Sequence, residues 1–314
     1  MDKLSERAQR AIDEKVFPGC VIGMVVHGKH EIRPYGEAFP MYDLASITKS
    51  IPLAALAALF VSEGKLKLSN TVKTFVPELQ NDFDATIEDM LRYRVRGVRM
   101  ASLQEMTHDE IHAAVMRKGF TAPPDASVYT NLPAFILGVM LERVGGVSLD
   151  RLAQEHFFGP YGMSTTTFFP EKAMCAPTEI VGGETVQGVP HDESTRVFAH
   201  AGRTVGHAGL FSTAQDLLRF AQRLIDEPHH PIVHAAKAGL GWDVNTQNFM
   251  GVHAHPKMFG KTGFTGTSII VDVETRSALV ILSNRTYPQR PADDMAINAF
   301  RRDIADIIYG SWMI

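Results

Sequence analysis

Apolar positions follow two different periods along the chain, and the alternation predicts the order of its elements. Near the N-terminus they recur every fourth residue, which is the stripe of an amphipathic surface helix: Leu4, Ala8, Ile12, Val16. Two β-branched segments follow at 19–27 and 32–35, with a turn at Gly28-Lys29. This pattern predicts a helix and then a hairpin.

The strand pattern returns only near the other end of the chain, at 267–273 and 278–282, with a turn at 274–276. A closing helix from Pro291 is predicted, because four apolar residues share one of its faces: Ile297, Phe300, Ile304, Ile308. Strands from both termini are therefore expected to share one antiparallel sheet.

The middle of the chain is predicted to be mostly helical, with helices at 47–63, 107–118, 132–144, 148–156 and 213–226. Thr107 with Glu110 forms a capping-box pattern, and Thr213 with Asp216 forms its acidic variant. Residues 164–206 are rich in Gly, Pro and Thr without either period, so we expect a long ordered loop there.

These elements predict an α/β protein of the α+β type, in which helices flank an antiparallel sheet and a mostly helical lobe is inserted. The sheet lobe would comprise residues 1–45 and 207–314, and the helical lobe would comprise 46–206. The active site is expected between the two lobes.

Composition excludes several functional classes. The 314-residue chain has a formal net charge of -4 and no run of Lys and Arg, so no nucleic-acid partner is expected. Its longest apolar run, at 51–61, is too short for a membrane span. The first residues lack the apolar core of a signal peptide, so we expect a cytoplasmic location, or a periplasmic or secreted one if a leader precedes them. The cysteines, Cys20 and Cys175, are interpreted as core or free thiols.

A Ser-x-x-Lys pattern occurs twice, at Ser46…Lys49 and Ser62…Lys65. Ser62 ends an apolar helix beside Gly64, whereas Ser46 begins that helix with Lys49 on its own face. A serine hydroxyl becomes a good nucleophile when a neighbouring base takes its proton, and a buried lysine can be that base. The alternative is that Ser46 only caps the helix and Lys49 lies at the surface.

Two further motifs favour the catalytic interpretation: Tyr129-Thr130-Asn131 before an apolar helix, and Lys261-Thr262-Gly263 before a strand. Ser-x-x-Lys, a second element ending in Asn, and Lys-Thr-Gly follow in the order of the serine penicillin-recognising signature. With the segments 42–49, 207–216 and 259–267, the chain resembles the branch of that superfamily that contains class C β-lactamases, D-alanyl-D-alanine peptidases and β-lactamase-fold esterases.

The resemblance implies roles for individual residues. Ser46 would be acylated, while Lys49 and Tyr129 would share the proton transfers. Asn131 would hold a substrate amide or order Lys49, and Lys261 would keep Tyr129 acidic and attract an anionic group. With Lys261, the substrate-binding residues would be Thr262, Gly263 and Phe264, and the N–H groups of Ser46 and Phe264 would form the oxyanion hole.

The chain departs from this family at 90–97, where four arginines accumulate by Arg99 and the expected Thr-His-Thr-Ser-Gly-like segment is missing. No glutamate is placed as a separate deacylation base. Neither a cofactor nor a metal is predicted, although His108 with His112 and His253 with His255 have chelating spacings. His207 is interpreted as a structural residue of the loop at Gly209.

The small-molecule substrate is predicted to be a carboxylic ester or a related acyl compound. A β-lactam or a D-Ala-D-Ala peptide is the alternative, since Lys261 suits a substrate carboxylate. A third possibility, from another class, is a binding or sensing module without turnover. The sequence makes no prediction of the oligomeric state.

Overall fold

A computed structural model of the chain describes residues 2–26 and 28–310. Its centre is a six-stranded antiparallel sheet in the order β2-β1-β10-β9-β8-β7. The strands are β1 (Gly19–Val26), β2 (Lys29–Gly36), β7 (Asp243–Val244), β8 (Phe259–Thr262), β9 (Ser268–Asp272) and β10 (Ser277–Ser283). Cys20 pairs with Ser283 across β1 and β10, so the two ends of the chain meet in the middle of the sheet.

The pleat of β1 explains why nearly every residue of this strand is buried. Ile22 and Met24 face one apolar cluster, which is closed by α1 (Lys3–Asp13) and α11 (Met295–Gly310). Val21 and Val25 point to the opposite face, which α8 (Ala214–Asp226) covers. Alternate side chains of a strand point to opposite faces, so helices on both sides bury the whole strand. The predicted fold class, a helix-flanked antiparallel sheet, is confirmed.

The remaining elements lie between β2 and the last strands. The helices are α2 (Ala55–Ser62), α3 (Ile87–Leu91), α4 (His108–Lys118), α5 (Leu132–Gly145), α6 (Leu149–Ala153), α7 (Glu193–His200), α9 (Pro231–Lys237) and α10 (Gln247–Met250). Short strands pair as β3 (Tyr42–Asp43) with β6 (Phe211–Ser212) and as β4 (Glu179–Val181) with β5 (Glu184–Val186). The predicted capping box of Thr107 and Glu110 begins α4.

Three sequence predictions need correction. Residues 164–206 are not a loop without regular structure, because they contain β4, β5 and α7, which Asp192 caps at its N-terminus. The helix predicted at 47–63 is interrupted, since Ile51 is extended (φ −120°, ψ 112°) and the α-helix begins only at Ala55. The closing helix begins at Met295 rather than at Pro291.

Three predicted limits lie outside the described residues: the end of the first strand at His27, and the limits of the sheet lobe at residues 1 and 314. The division into two lobes stays a prediction. Cys20 and Cys175 are both buried free thiols, as interpreted from the sequence.

The stretch Ala45–Ser62 is long and apolar enough to meet a length-and-composition criterion for a membrane-crossing helix, but 78% of it is buried in the protein. The pair Leu132–Gly145 and Leu149–Phe158 meets the criterion only jointly, with a bend of 73° between its helices. The interior of this fold accounts for both stretches, and the described residues offer no clear membrane span.

Candidate active site

Ser46 lies in a short 3₁₀ helix, Ala45–Lys49, whose backbone is fixed from outside. Ala45 has a left-handed backbone (φ 46°), which costs a non-glycine residue about 1–2 kcal/mol. Asp43 Oδ1 accepts the N–H of Ala45 at 2.8 Å, and Thr48 Oγ1 donates to the carbonyl of Ala45 at 2.7 Å. These contacts hold the turn that presents Ser46. The cap position belongs to Leu44, so Ser46 is not the helix cap.

Lys49 is buried with its amine against Ser46. Its side chain Nζ lies 2.8 Å from Ser46 Oγ and donates to the carbonyl oxygen of His207 at 2.7 Å. Burial lowers the pKa of Lys49, and the positive charge of Lys261 lowers it further, while the charges of Tyr129 and Asp192 oppose the shift. A neutral lysine amine so close to a hydroxyl can accept its proton.

Tyr129 lies between the amines of two lysines. Its ring centroid is 5.3 Å from Lys49 Nζ and 4.5 Å from Lys261 Nζ. Burial of the hydroxyl would raise the pKa of Tyr129, but the charges of Lys49 and Lys261 outweigh it, so the pKa lies below its ordinary value. The residue itself is half exposed and forms part of the cleft wall. Tyr129 can therefore exchange a proton with groups bound in the cleft.

Lys261 is placed by β8, and its side chain is buried next to a carboxylate. Its Nζ lies 3.1 Å from Oδ2 of Asp243, on the adjacent strand β7. Burial alone would lower the pKa of Lys261, but the negative charges of Tyr129 and Asp243 raise it above its ordinary value. Lys261 is therefore a fixed cation whose charge Asp243 partly neutralises.

The turn after Lys261 brings the third motif against the first. A Cβ at Gly263 would collide with the carbonyl oxygen of Leu44 and with Thr267 Oγ1, so only glycine fits. Thr267 Oγ1 donates to that Leu44 carbonyl at 3.2 Å, and Thr265 Oγ1 donates to the carbonyl of Asp43 at 2.6 Å. The two motifs are therefore joined through the residues beside Ser46.

A cleft of about 660 Å³ opens over these groups. It is lined by six residues that the sequence singled out: Ser46, Tyr129, Lys261, Thr262, Gly263, Phe264. Asn131 is not among the lining residues, and its Nδ2 donates to Asp192 Oδ2 at 3.0 Å. The structure thus brings together the three motifs predicted to share a site.

Comparison with known proteins identifies the family of the chain. The profile of the family described as Beta-lactamase matches residues 4–302. The chain belongs to the Beta-lactamase family. At the coarse level at which this family and the relatives agree, the protein is a serine acyl hydrolase.

Curated relatives of this Beta-lactamase family member are named putative D-alanyl-D-alanine carboxypeptidases. One from Escherichia coli strain K12 is 26% identical over 313 residues, covering 81% of this chain and 70% of its own. One from Salmonella enteritidis PT4 is 27% identical over 319 residues, covering 82% and 72%.

Solved structures with the same fold belong to proteins named for different activities. EstCE1, a hydrolase with promiscuous acyltransferase activity, has a TM-score of 0.76 at 18% identity and covers 98% of this chain and 97% of its own. A class C β-lactamase has a TM-score of 0.74 at 17% identity, covering 96% of each chain. At such low identity these likenesses describe the fold alone.

Sequence reasoning missed several residues of the site. Tyr93 lies in the segment 90–97, where the chain departs from the family pattern. The centroid of its ring is 4.9 Å from that of Tyr129, and its carbonyl accepts the N–H of Val128 at 2.7 Å. Asp243 and Asp43 were missed as well. Asp43 carried a usable signal, since it lies three residues before Ser46, but nothing in the sequence links Asp243 to Lys261.

The remaining candidates lie outside the cleft. Of the segment's arginines, Arg96 and Arg99 are exposed and Arg94 contacts Asp89 at 3.5 Å, and none of the three lines the cleft. His207 is fully buried, in keeping with the structural interpretation. Within residues 2–26 and 28–310, no group of three His, Cys, Asp or Glu side chains could hold a metal ion.

Proposed function

We propose that Ser46 is the nucleophile and that Lys49 takes its proton when the acyl-enzyme forms. The contact of 2.8 Å between Lys49 Nζ and Ser46 Oγ supports this assignment, as does the burial that lowers the pKa of Lys49. Tyr129 then exchanges protons with the leaving group and with the water that attacks the acyl-enzyme. The N–H groups of Ser46 and Phe264 bind the oxyanion.

The substrate we propose is a small carboxylic ester or a related acyl compound, which does not need a carboxylate that Lys261 could bind. The observation that carries this choice is the ion pair between Lys261 and Asp243, at 3.1 Å, because an occupied cation attracts a substrate carboxylate less strongly. Among the described residues lining the cleft, four cations (Lys261, Arg285, Arg290 and Arg301) are accompanied by three carboxylates (Asp243, Asp293 and Asp294).

A second candidate is a β-lactam or a peptide ending in D-Ala-D-Ala. The names of the curated relatives favour it, and so does the presence of Lys261 in a Lys-Thr-Gly motif. A module that binds without turnover is disfavoured, because the Lys49 amine lies 2.8 Å from Ser46 Oγ and 5.3 Å from the centroid of the Tyr129 ring.

A substrate panel tests the proposal. We expect nitrophenyl acetate and butyrate to be hydrolysed with higher kcat/KM than nitrocefin or a D-Ala-D-Ala peptide, each corrected for Ser46→Ala. Higher kcat/KM for nitrocefin or for the peptide would replace the ester assignment with the corresponding alternative. Acylation without turnover of any compound would favour the binding module.

A further inference from the structure

Asp192 lies at the centre of a polar cluster behind Lys49, away from the mouth of the cleft. Its Oδ1 accepts hydrogen bonds from Ser194 Oγ at 2.7 Å, from the Thr195 N–H at 2.9 Å and from Thr195 Oγ1 at 3.0 Å. Its Oδ2 accepts the amide of Asn131 at 3.0 Å. One carboxylate therefore joins the start of α7 to the second motif of the active site.

The same cluster fixes the His207 ring. His207 Nε2 lies 2.9 Å from Thr195 Oγ1, 3.1 Å from Ser194 Oγ and 3.3 Å from Asp192 Oδ1. Both hydroxyls already donate to Asp192, so we assign a proton to Nε2 of His207, which donates to this cluster. The carbonyl of His207 accepts a hydrogen bond from Lys49, so the cluster sets the position of an acceptor for the lysine amine.

Asp192 also contributes charge. Burial alone would raise the pKa of its carboxyl, but hydrogen bonds from His207, Ser194 and Thr195 hold that pKa well below its ordinary range. The carboxylate is therefore ionised. The charged or titratable groups that act on Lys49 are Tyr129, Asp192 and Lys261, and Asp192 favours its protonated form.

We propose that Asp192 is a positioning residue for the acylation of Ser46. Its carboxylate binds Asn131 and holds His207, whose carbonyl accepts a hydrogen bond from Lys49, and its negative charge stabilises the ammonium that Lys49 becomes. In that step the Ser46 hydroxyl proton passes to the neutral amine while Oγ bonds to the acyl carbon. The carbonyl electron pair moves to oxygen and then returns to expel the leaving group, which takes up the proton of the Tyr129 hydroxyl. The inference rests on the proposed roles of Ser46 and Lys49.

A purely structural role for Asp192, as the N-cap of α7, makes a different prediction. Asn and Ser cap helices about as well as Asp, so Asp192→Asn and Asp192→Ser keep the cap and remove the charge. Without that charge Lys49 holds its proton less firmly. The acidic limb of the pH–rate profile should therefore move to lower pH, while the rate on the plateau falls because the developing ammonium loses its counter-charge.

The experiment follows the phosphonylation of Ser46 by a fluorophosphonate probe from pH 5 to 9, in which Oγ bonds to phosphorus and fluoride leaves, with intact mass as the readout and thermal unfolding measured in parallel. Asp216→Asn is the matched control. Asp216 is a buried carboxylate in the first turn of α8, where it accepts hydrogen bonds from Thr165 N–H and Thr166 Oγ1.

We expect both Asp192 variants to lose about 10- to 100-fold in plateau rate, the loss of a hydrogen-bonded charge, and to shift the acidic limb to lower pH. In the Asp216 variant the acidic limb should lie at the same pH as in the wild type. If the acidic limb of the pH–rate profile stayed at the wild-type pH in both Asp192 variants, the inference would be overturned, while Ser46 would remain the nucleophile. Absence of wild-type labelling at every pH would refute the proposed function, and the inference with it.

Discussion

The chain contains the same four-residue pattern twice, in two contrasting environments. Lys49 is 1% exposed, and its Nζ lies 2.8 Å from Ser46 Oγ. Lys65 is an exposed residue that pairs with Glu63 at 2.8 Å, and Ser62 Oγ donates to the carbonyl of Leu59. The first serine is next to a base, whereas the second only closes the last turn of its helix.

This difference shows that the environment gives the pattern its chemistry. An exposed lysine amine keeps its proton at neutral pH, so it cannot take one from a serine. Burial disfavours the ammonium, and the nearby charge of Lys261 disfavours it further. The surroundings of Ser46 include Asp43, His207 and the turn at Gly263, whereas the surroundings of Ser62 are solvent and its own helix.

The largest expected effect comes from exchanging the two serines for alanine. Ser46→Ala should lower kcat by as much as about 10⁶-fold, because the nucleophile is lost, and Ser62→Ala should leave it unchanged. Steady-state hydrolysis of nitrophenyl acetate measures both. If Ser62→Ala caused the larger loss, the comparison would be reversed.

A smaller effect is expected for the proton-transfer groups. Lys49→Met and Tyr129→Phe should each lower kcat by about 10²–10⁴-fold, since they act as general acid and base. Because they act as one unit, the double variant should be little worse than either single one. Lys65→Met is the control and should have no effect. Losses that add in log kcat would assign Lys49 and Tyr129 to separate steps.

The variant Lys261→Met tests whether Lys261 binds a substrate carboxylate or mainly lowers the pKa of Tyr129. If Lys261 mainly tunes Tyr129 and is neutralised by Asp243, kcat/KM should fall about equally for nitrocefin and for nitrophenyl esters. A loss of about 1.5–3 kcal/mol confined to nitrocefin would instead indicate a charge-assisted bond to a substrate carboxylate.

Asp243→Asn provides the complementary change. It frees the charge of Lys261, so the ratio of kcat/KM for nitrocefin to that for the ester should rise by about fivefold. An unchanged ratio would show that Asp243 does not limit the attraction of anionic substrates.

The smallest effect concerns the pH dependence of folding stability. Burial raises the pKa of Asp43 to about 6, although hydrogen bonds from the N–H groups of His191 and Ala45 oppose the shift. Because this folded-state pKa is above the ordinary value, the folded chain gains a proton first as pH falls through 6. Stability from this group is thus present at low pH and lost as pH rises through 6.

Relative to Asp43→Asn, the wild type should therefore gain about 1 kcal/mol in free energy of unfolding between pH 7 and pH 5. Urea denaturation of both chains at the two pH values measures this difference. Parallel stability curves would indicate that Asp43 does not take up a proton in this range.

Much of the fold could be predicted from the sequence where the apolar period was strong. The β1–β2 hairpin, the last two strands and helices α4, α5 and α8 were found in this way. The prediction of one helix over 47–63 was wrong because the run Ile51–Val61 is apolar, while Pro52 lacks the N–H that a continuous helix needs. The short strands β4 and β5 lie in a segment without any apolar period.

The three motifs of the site could be predicted because each is a local pattern. The contacts between them could not, since they join residues far apart in sequence. Lys261 finds Asp243 across neighbouring strands, and Asn131 donates to Asp192 instead of lining the cleft. The first pair depends on the register of the sheet. The second depends on the segment 164–206, which we predicted as a single loop and which contains Asp192.

Peptide mapping of the covalently labelled enzyme tests the central claim most directly. The chain is labelled with a fluorophosphonate at pH 8, digested, and sequenced by mass spectrometry. We predict a single adduct on Ser46, which forms more slowly in Lys49→Met and at the wild-type rate in Lys65→Met. An adduct on Ser62, or equal labelling of both serines, would contradict it.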